Sequence, residues 1–356
     1  MIRIAKRDEL TGNKAAIIRL IAILSSLLCG ALFLLILKQN PLNVYISMID
    51  GALGSAYRFR ETVNTAIPLL ITSLGIMLAF KMKFWNIGAE GQIYMGAFAS
   101  TFFALNFSYL PRPLLLLLMA LAAMIMGGIW LLIPALFKAK FGTNETLFTL
   151  MLNYIAIKWV TFLQYSLWKD PNAKGFPKIA NYSENALLPN FLGVHIGWVI
   201  ALILVVIIYI YMNHTKAGYE IAVLGESENT ARYAGVQIKK VIIKTMFIGG
   251  GICGLAGMIQ ASGISGTLSV DLSGGVGFTA IITTWLSGLS APAMVIVSFL
   301  FAMLEQGGSF IQTAYQIPSA VAKILQAMIL FFVLSSEFSV RYKFVVDRRV
   351  KQGGQK

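Results

Sequence analysis

The side chains best suited to chemistry lie in one short polar stretch between two long apolar runs. Residues 81–92 read KMKFWNIGAEGQ, in which Asn86, Glu90 and Gln92 supply two amides and a carboxylate. A charged group at the centre of a bilayer costs about 3 kcal/mol, so polar side chains here need a reason. They either cap a helix at the membrane surface or line a path through the membrane. We predict a structural role at the inner end of such a path, with Glu90 hydrogen-bonded or paired.

Polar side chains within the other apolar runs are few. Asn153 and Gln260 lie in apolar surroundings and are expected to face the interior of a helical bundle. Interhelical hydrogen bonds, worth about 0.6 kcal/mol per pair, account for such residues, and contact with a polar solute is a compatible alternative. We place a solute path between the second, third, fifth and seventh predicted spans. The candidate substrate-pathway residues are Asn64, Asn86, Glu90, Gln92, Asn153 and Gln260.

Groupings typical of enzymes are missing from the sequence. It has no GxxxxGK loop followed by Ser or Thr, so nucleotide binding through a Walker motif is not expected. Its two histidines, His195 and His214, lie at opposite edges of one predicted span and cannot form a pair. Cys29 and Cys253 fall inside apolar runs as small buried side chains. We predict a protein that is not an enzyme, with no cofactor, no catalytic residue and no metal site.

The amino-acid composition indicates which kind of structural element holds these residues in place. The chain is 57% hydrophobic and 12% charged, with a mean hydropathy of +0.75. A soluble protein of this size carries roughly 25% charged residues. The apolar residues come in continuous blocks rather than in alternation, which favours membrane-spanning helices over a barrel.

We therefore predict a single all-α transmembrane domain over residues 1–356, a polytopic helical bundle with about ten spans. A glycine-rich segment, 263–277, follows the seventh predicted span and leads into the eighth. We interpret it either as a re-entrant break or as an external loop. The predicted spans are 17–37, 62–80, 87–107, 113–136, 146–167, 195–212, 241–262, 276–290, 292–310 and 319–338.

The net charge of +14 has a topological explanation. Basic residues concentrate in both terminal segments and in alternate loops, whereas the intervening loops hold few. The positive-inside rule then places both termini in the cytoplasm and requires an even number of spans. This explanation is preferred to binding of nucleic acid, which we do not expect as a partner. The terminal basic residues are Arg3, Lys6, Arg7, Lys14 and Arg19, and Arg341, Lys343, Arg348, Arg349, Lys351 and Lys356.

The longest predicted cytoplasmic loop, 213–240, contains a helix signal. Ser227 is a good N-cap, Glu228 favours a first turn, and Gly235 suits the position after a helix end. These residues predict a helix of about two turns between them. It could be a mere connector between spans or a rigid element that docks on a cytoplasmic partner, and the residues alone leave both open.

Four segments resemble, in the same order, the permease subunits of bacterial ATP-binding-cassette importers for nucleosides and simple sugars. The nucleoside branch fits the first of these motifs best, and the sugar branch stays open. The similarity extends over roughly residues 60–340. The segments are FWNIGAEGQ at 84–92, GTNETLFTLMLNYIA at 142–156, LGESENTARYAG at 224–235 and GVGFTAI at 275–281.

The resemblance implies a set of partners and a role for the 213–240 loop. It implies cytoplasmic ATP-binding subunits, a second permease subunit that is identical or similar, an external solute-binding lipoprotein, and membrane lipid around the spans. The alternative, a self-sufficient secondary transporter, predicts ionisable residues at mid-membrane, which are nearly missing apart from Glu305. The candidate ATPase-coupling residues are Gly225, Glu226, Ala231, Arg232, Tyr233, Ala234 and Gly235.

Overall fold

The computed structural model describes residues 2–6, 13–171, 173 and 175–346. Its architecture is all-helical apart from two small two-stranded sheets, as predicted. Several basic residues used in the topology prediction lie outside the described residues. They are Arg7, Arg348, Arg349, Lys351 and Lys356.

Thirteen α-helices are present within the described ranges, joined by short connections except for the segments after α6 and after α10. A single 3-10 turn, Glu184–Ala186, lies in the segment after α6. The helices are α1 (Asn13–Ile36), α2 (Pro41–Leu53), α3 (Ala56–Lys81), α4 (Ala89–Asn106), α5 (Arg112–Phe141), α6 (Glu145–Tyr165), α7 (Gly197–His214), α8 (Lys216–Glu226), α9 (Glu228–Tyr233), α10 (Ile238–Gln260), α11 (Val276–Leu286), α12 (Ala291–Ala314) and α13 (Ser319–Arg341).

Each of the ten predicted spans coincides with a helix, but fewer helices are able to cross a membrane. Seven described helices are long and apolar enough, or eight if the bent pair α1–α2 counts as one span. The count of about ten is not confirmed, because α11 has only 11 residues and α4 begins with the polar side chains of Glu90 and Gln92. A bilayer core needs about 20 helical residues, so α11 is too short to cross, whereas α4, with 18 residues, is long enough but not apolar enough.

Helix α2 was not predicted, and its start has a local cause. The segments Leu20–Ile36 and Pro41–Leu53 meet at 114°. Asn40 caps α2, since its side chain accepts hydrogen bonds from the backbone of Leu42 and Asn43, and Pro41 occupies the first helical position. Proline is favoured there, where its missing N–H needs no partner. Helix α1 has already ended at Ile36, and the backbone turns at Lys38, which has φ of 60°.

One compact unit combines described residues of Met1–Gly54 and Leu304–Lys356. Strand β1 (Ile2–Lys6) pairs antiparallel with β4 (Tyr342–Val346). This pairing brings the two ends of the described chain together, which is compatible with an even number of crossings. Which side they occupy remains a prediction from charge. The buried core of this unit comprises Leu34, Val44, Met48, Ile311, Ala322 and Leu325.

The second unit, Ser55–Met303, is built around α10. Glycines on α10 allow the backbones of α3, α4 and α5 to approach closely: a Cβ at Gly249 would lie 2.8 Å from the carbonyl oxygen of Gly75, and one at Gly250 would lie 2.5 Å from that of Gly127. Gly254 faces the carbonyl oxygen of Ala123 with no room for a side chain. Gly250 and Gly254 thus show the packing in which small residues let membrane helices meet backbone to backbone.

Helix α10 does not end cleanly. It passes into a π-helical turn, Ala261–Ser265, followed by irregular backbone over 266–275 in which Gly274 and Gly275 have φ of 58° and 92°. The irregular segment starts against the segment after α6, where the Gly266 carbonyl accepts a hydrogen bond of 2.8 Å from the N–H of Tyr182. In that segment β2 (Asn190–Phe191) pairs with β3 (Val194–His195).

Candidate functional site

The start of α4 is fixed by a buried pair of amides. The Asn86 side-chain oxygen accepts hydrogen bonds from the Gly88 N–H (2.9 Å) and from the Gln92 amide (3.0 Å). Both side chains are almost completely buried, at 0% exposure for Asn86 and 1% for Gln92. The predicted structural role of these residues thus has a physical basis, since they satisfy backbone that a helix start would otherwise leave unpaired.

Helix α6 is joined to the same turn by Asn153. Its side-chain oxygen accepts from the Gly91 N–H and its side-chain amide donates to the Ile87 carbonyl, each at 2.8 Å. Thr149 supports it, because its hydroxyl accepts from the Ile87 N–H at 3.2 Å. Both groups of the Asn153 amide are therefore engaged in holding two helices together. At a rise of 1.5 Å per residue, Asn153 lies about 12 Å along α6 from Glu145, the first residue of that helix.

Glu90 connects α4 to α11. Its Oε2 accepts a hydrogen bond of 2.8 Å from the N–H of Gly277, the second residue of α11. This is one of the N–H groups that a helix start leaves without a partner inside the helix. Glu90 is 3% exposed, and Gly277 has no room for a Cβ against the Glu90 backbone. The prediction that Glu90 has a hydrogen-bond partner is confirmed.

We expect Glu90→Gln to be better tolerated than Glu90→Leu. Glutamine keeps the size and an acceptor oxygen, whereas leucine leaves the Gly277 N–H buried without a partner, at a cost of about 1–3 kcal/mol. The measurement is the thermal midpoint and yield of the detergent-purified chain, with exposed Glu184→Leu as the control. Equal losses in both Glu90 variants, or no loss in Glu90→Leu, would contradict the role of this bond.

The remaining pathway candidates are placed differently. The Gln260 amide donates to the Leu272 carbonyl at 2.6 Å and so holds the irregular segment, while its oxygen has no hydrogen-bond partner among the described residues. Asn64 donates to Glu61 on its own helix at 3.3 Å. The structure thus brings Asn86, Glu90, Gln92 and Asn153 together at α4, puts Gln260 at the segment that follows α10, and leaves Asn64 out of this network.

Three polar residues of this region were not among the candidates. Thr149 supports the start of α4, the Tyr94 hydroxyl donates to the Val270 carbonyl, and the Gln164 oxygen accepts from the Val270 N–H at 3.2 Å. Thr149 lies within the GTNETLFTLMLNYIA segment, which could have signalled it. The contacts of Tyr94 and Gln164 join residues more than 100 positions apart, and no local pattern reports them.

The helix predicted in the 213–240 loop is present as α9. The Ser227 hydroxyl accepts from the Thr230 N–H at 3.3 Å and caps the first turn. At the other end Gly235 has φ of 74°, and the N–H of Val236 donates to the Ala231 carbonyl at 3.0 Å. This is a Schellman ending, which favours glycine at the left-handed position. Helix α8, which precedes it in the same loop, was not predicted.

The surface of α9 separates into a packed and an exposed side. Ala231 is fully buried, whereas Tyr233 is 93% exposed and the Arg232 side chain 72% exposed. Arg232 forms an ion pair of 3.3 Å with Glu228, one turn before it. An almost fully exposed tyrosine beside an arginine is the kind of pair that interfaces use as anchors.

Two of the candidate coupling residues anchor the loop instead of facing outward. Gly225 lies against the carbonyl oxygen of Lys81 at the end of α3, with no room for a Cβ. The Lys83 ammonium donates to the Glu226 carbonyl at 3.3 Å. Gly225 and Glu226 therefore hold α8 and the start of α9 on the end of α3.

The comparison with known families identifies the class of protein. The chain belongs to the family described as branched-chain amino acid transport system, permease component, whose sequence profile matches residues 59–334. It is a multi-pass permease subunit of an ABC importer in the cytoplasmic membrane, and it is not an enzyme.

Three curated relatives match nearly the whole chain. A glucose ABC transporter permease of Haloferax volcanii is 34% identical, covering 92% of this chain and 90% of the relative. A nucleoside ABC transporter permease of Lactococcus lactis subsp. cremoris is 32% identical, covering 90% and 91%. A guanosine ABC transporter permease of Bacillus subtilis is 30% identical, covering 95% and 97%.

Proposed function

We propose that this permease forms the path by which a nucleoside, or alternatively a simple sugar, enters the cell. The observation that carries the proposal is the similarity over nearly the whole chain to permeases named for nucleosides, guanosine and glucose. A sparse polar lining suits uncharged, hydroxyl-rich solutes, since each lost hydrogen bond to water costs about 1–3 kcal/mol if it is not replaced. Among the pathway candidates, the side-chain oxygens of Gln260 and Asn64 have no hydrogen-bond partner within the described residues and are available for such a contact.

The transporter would be assembled from several subunits. Cytoplasmic ATP-binding subunits dock on α9, a second permease completes the path, and an external lipoprotein delivers the solute. The exposed Arg232 and Tyr233 support the first of these contacts. Because the external protein would provide selectivity, the path itself needs only weak polar contacts and can release what it holds.

The solute and the energy source can be tested together in proteoliposomes that contain the co-expressed subunits. We expect guanosine with its binding protein to stimulate ATP hydrolysis and uptake more than glucose does. Stimulation by glucose alone would assign the sugar branch. Uptake that follows an ion gradient and ignores ATP would overturn the proposal in favour of a secondary transporter.

The path is proposed to pass the side chains of α3, α4, α6 and α10. Cysteine at position 260 or 153 should react with small water-soluble thiol reagents in the assembled transporter, at a rate that turnover changes. Gln260→Cys should react faster, because the Gln260 oxygen has no partner among the described residues while both groups of Asn153 are bonded.

The buried native Cys253, on the same helix as Gln260, is the internal control and should stay unreactive. The experiment uses a Cys29→Ser background. Complete protection of both new cysteines in every state, with activity retained in Asn153→Leu and Gln260→Leu, would mean that these side chains only join helices and that the path lies elsewhere.

A further inference from the structure

A polar cavity lies beside α9, the proposed coupling helix, and away from the pathway residues. It has a volume of about 250 Å³ and is bounded by the end of α7, the start of α8, the connection after α9 and the first two turns of α10. Three lysines line it, Lys216, Lys240 and Lys244, against a single carboxylate, Glu220. It also includes Gly235, the left-handed residue that ends the coupling helix.

The charges of this cavity are unbalanced. Lys216 pairs with Glu220 at 3.7 Å, and no ion pair to Lys240 or Lys244 is present within the described residues. Like charges gathered in one concave site repel each other and raise the local potential, which attracts an anion. The Lys216 side chain is 89% exposed, and Lys240 and Lys244 are exposed as well, so a ligand can reach all three ammonium groups from solvent.

A hydroxyl group in the cavity also lacks a hydrogen-bond partner. The Tyr211 Oη is buried and has no hydrogen-bond partner among the described residues. A buried hydroxyl without a partner is destabilising, and a bound acceptor oxygen would remove this cost. Ammonium groups together with a hydroxyl donor form the donor set that binds phosphate oxygens.

The position of the cavity relative to the spans points to the membrane surface. Tyr211 is in the last turn of the candidate span Gly197–His214, and Lys240 and Lys244 are in the first turns of the span that starts at Ile238. Span ends are where lipid headgroups lie, and basic pockets between helices bind anionic headgroups. The opening is also reachable by a soluble phosphate.

We propose that this cavity binds a phosphate group, carried by an anionic phospholipid headgroup or by a soluble phosphate compound. Lys216, Lys240 and Lys244 provide the charge, and Tyr211 donates a hydrogen bond. The proposal does not depend on the identity of the transported solute. Because Gly235 forms part of the wall, the occupant touches the end of the coupling helix.

The test uses the full-length chain purified in detergent and two phosphate sources. Native mass spectrometry measures retention of phosphatidylglycerol relative to phosphatidylcholine. The shift of the thermal midpoint on titration with inorganic phosphate, against chloride at equal ionic strength, measures the soluble source. A response to the lipid alone or to inorganic phosphate alone assigns the source, and either response supports the proposal.

Three variants make the test specific to the cavity. Each lysine near a membrane surface contributes about a fivefold change in affinity, so Lys216→Gln, Lys240→Gln and Lys244→Gln combined should weaken binding about 100-fold. Tyr211→Phe keeps the ring and removes only the hydroxyl, and should weaken binding about threefold to tenfold. The matched control removes the same charge outside the cavity, with Lys81→Gln, Lys140→Gln and Lys239→Gln.

Several results would overturn the proposal. They include binding of neither source by the wild-type chain, equal binding by the wild type and the triple cavity variant, and an equal loss in the control variant. If the cavity lysines prove necessary for docking of the ATP-binding subunit but not for either phosphate source, they belong to a protein interface and the phosphate site does not exist.

Discussion

Replacing Arg232 with Glu should abolish solute uptake while the permease still inserts into the membrane in normal amounts. The side chain is 72% exposed and its ion pair with Glu228 is a surface pair. Such pairs contribute about 0.3–0.5 kcal/mol, so the fold loses little. Reversing a charge that becomes buried against a partner costs about 2–5 kcal/mol, enough to weaken docking of the ATP-binding subunit at least 30-fold.

The measurement is solute-stimulated ATP hydrolysis in proteoliposomes, with membrane content determined on the same sample. Arg232→Lys, which keeps the positive charge, should retain part of the activity. Normal stimulated hydrolysis in Arg232→Glu would show that the coupling contact lies elsewhere.

Gly235→Val tests the same helix through its backbone and has a matched control in Gly142→Val. Both glycines end a helix at positive φ, 74° and 66°, and a Cβ at either would meet nothing within 4 Å. Valine therefore introduces a similar backbone strain of about 1–2 kcal/mol at both sites. Only the change at Gly235 should reduce uptake strongly, since it moves the end of α9, the proposed docking helix. Equal activity of the two variants would contradict the coupling role.

Gly254→Val should prevent folding of the helical unit around α10. Gly254 contacts the Ala123 carbonyl on one side, and a Cβ at Gly96 on α4 would meet the Gly254 backbone. Backbone on both sides cannot give way as a flexible side chain can, so the helices must separate. We expect a loss of about 3 kcal/mol or more, the upper range for overpacked interiors.

Gly249→Ala is the graded control for this variant. Its Cβ would meet the Gly75 carbonyl oxygen at 2.8 Å, with the next atom at 3.7 Å, so a small shift makes room. The yield of monodisperse protein and its thermal midpoint in detergent should fall slightly for Gly249→Ala and severely for Gly254→Val. Similar values for the two variants would mean that the crossing is looser than the structure describes.

Local sequence signals predicted α9 down to its caps. Ser227 and Gly235 act on backbone within a few residues, so their effect is visible without tertiary information. The ten predicted spans likewise coincide with helices, because an apolar block fixes a helix in a membrane. Such a block does not reveal whether a helix crosses fully, and α11, with 11 residues, illustrates the difference.

The sequence identified most residues of the candidate site, but it did not reveal which groups they contact. Asn86, Glu90 and Gln92 stand out because polar groups are rare in apolar surroundings. Their partners could not be inferred, since the Gly277 N–H lies 187 positions from Glu90 along the chain. Asn64 looked equivalent in sequence, yet its side chain donates a hydrogen bond to Glu61 on its own helix.

Two helix starts converge at Glu90, and this has an electrostatic consequence. Helices α4 and α11 each begin after a glycine that makes no side-chain capping bond. A helix start carries roughly half a positive elementary charge, so the two together present about one, which an ionised Glu90 carboxylate balances. The interior is then close to neutral at this point. With these charges balanced, the electric field near Glu90 would neither attract nor repel a passing solute. In Glu90→Gln the positive charge of the two helix starts would stay unbalanced, and an anion would be held there and released slowly.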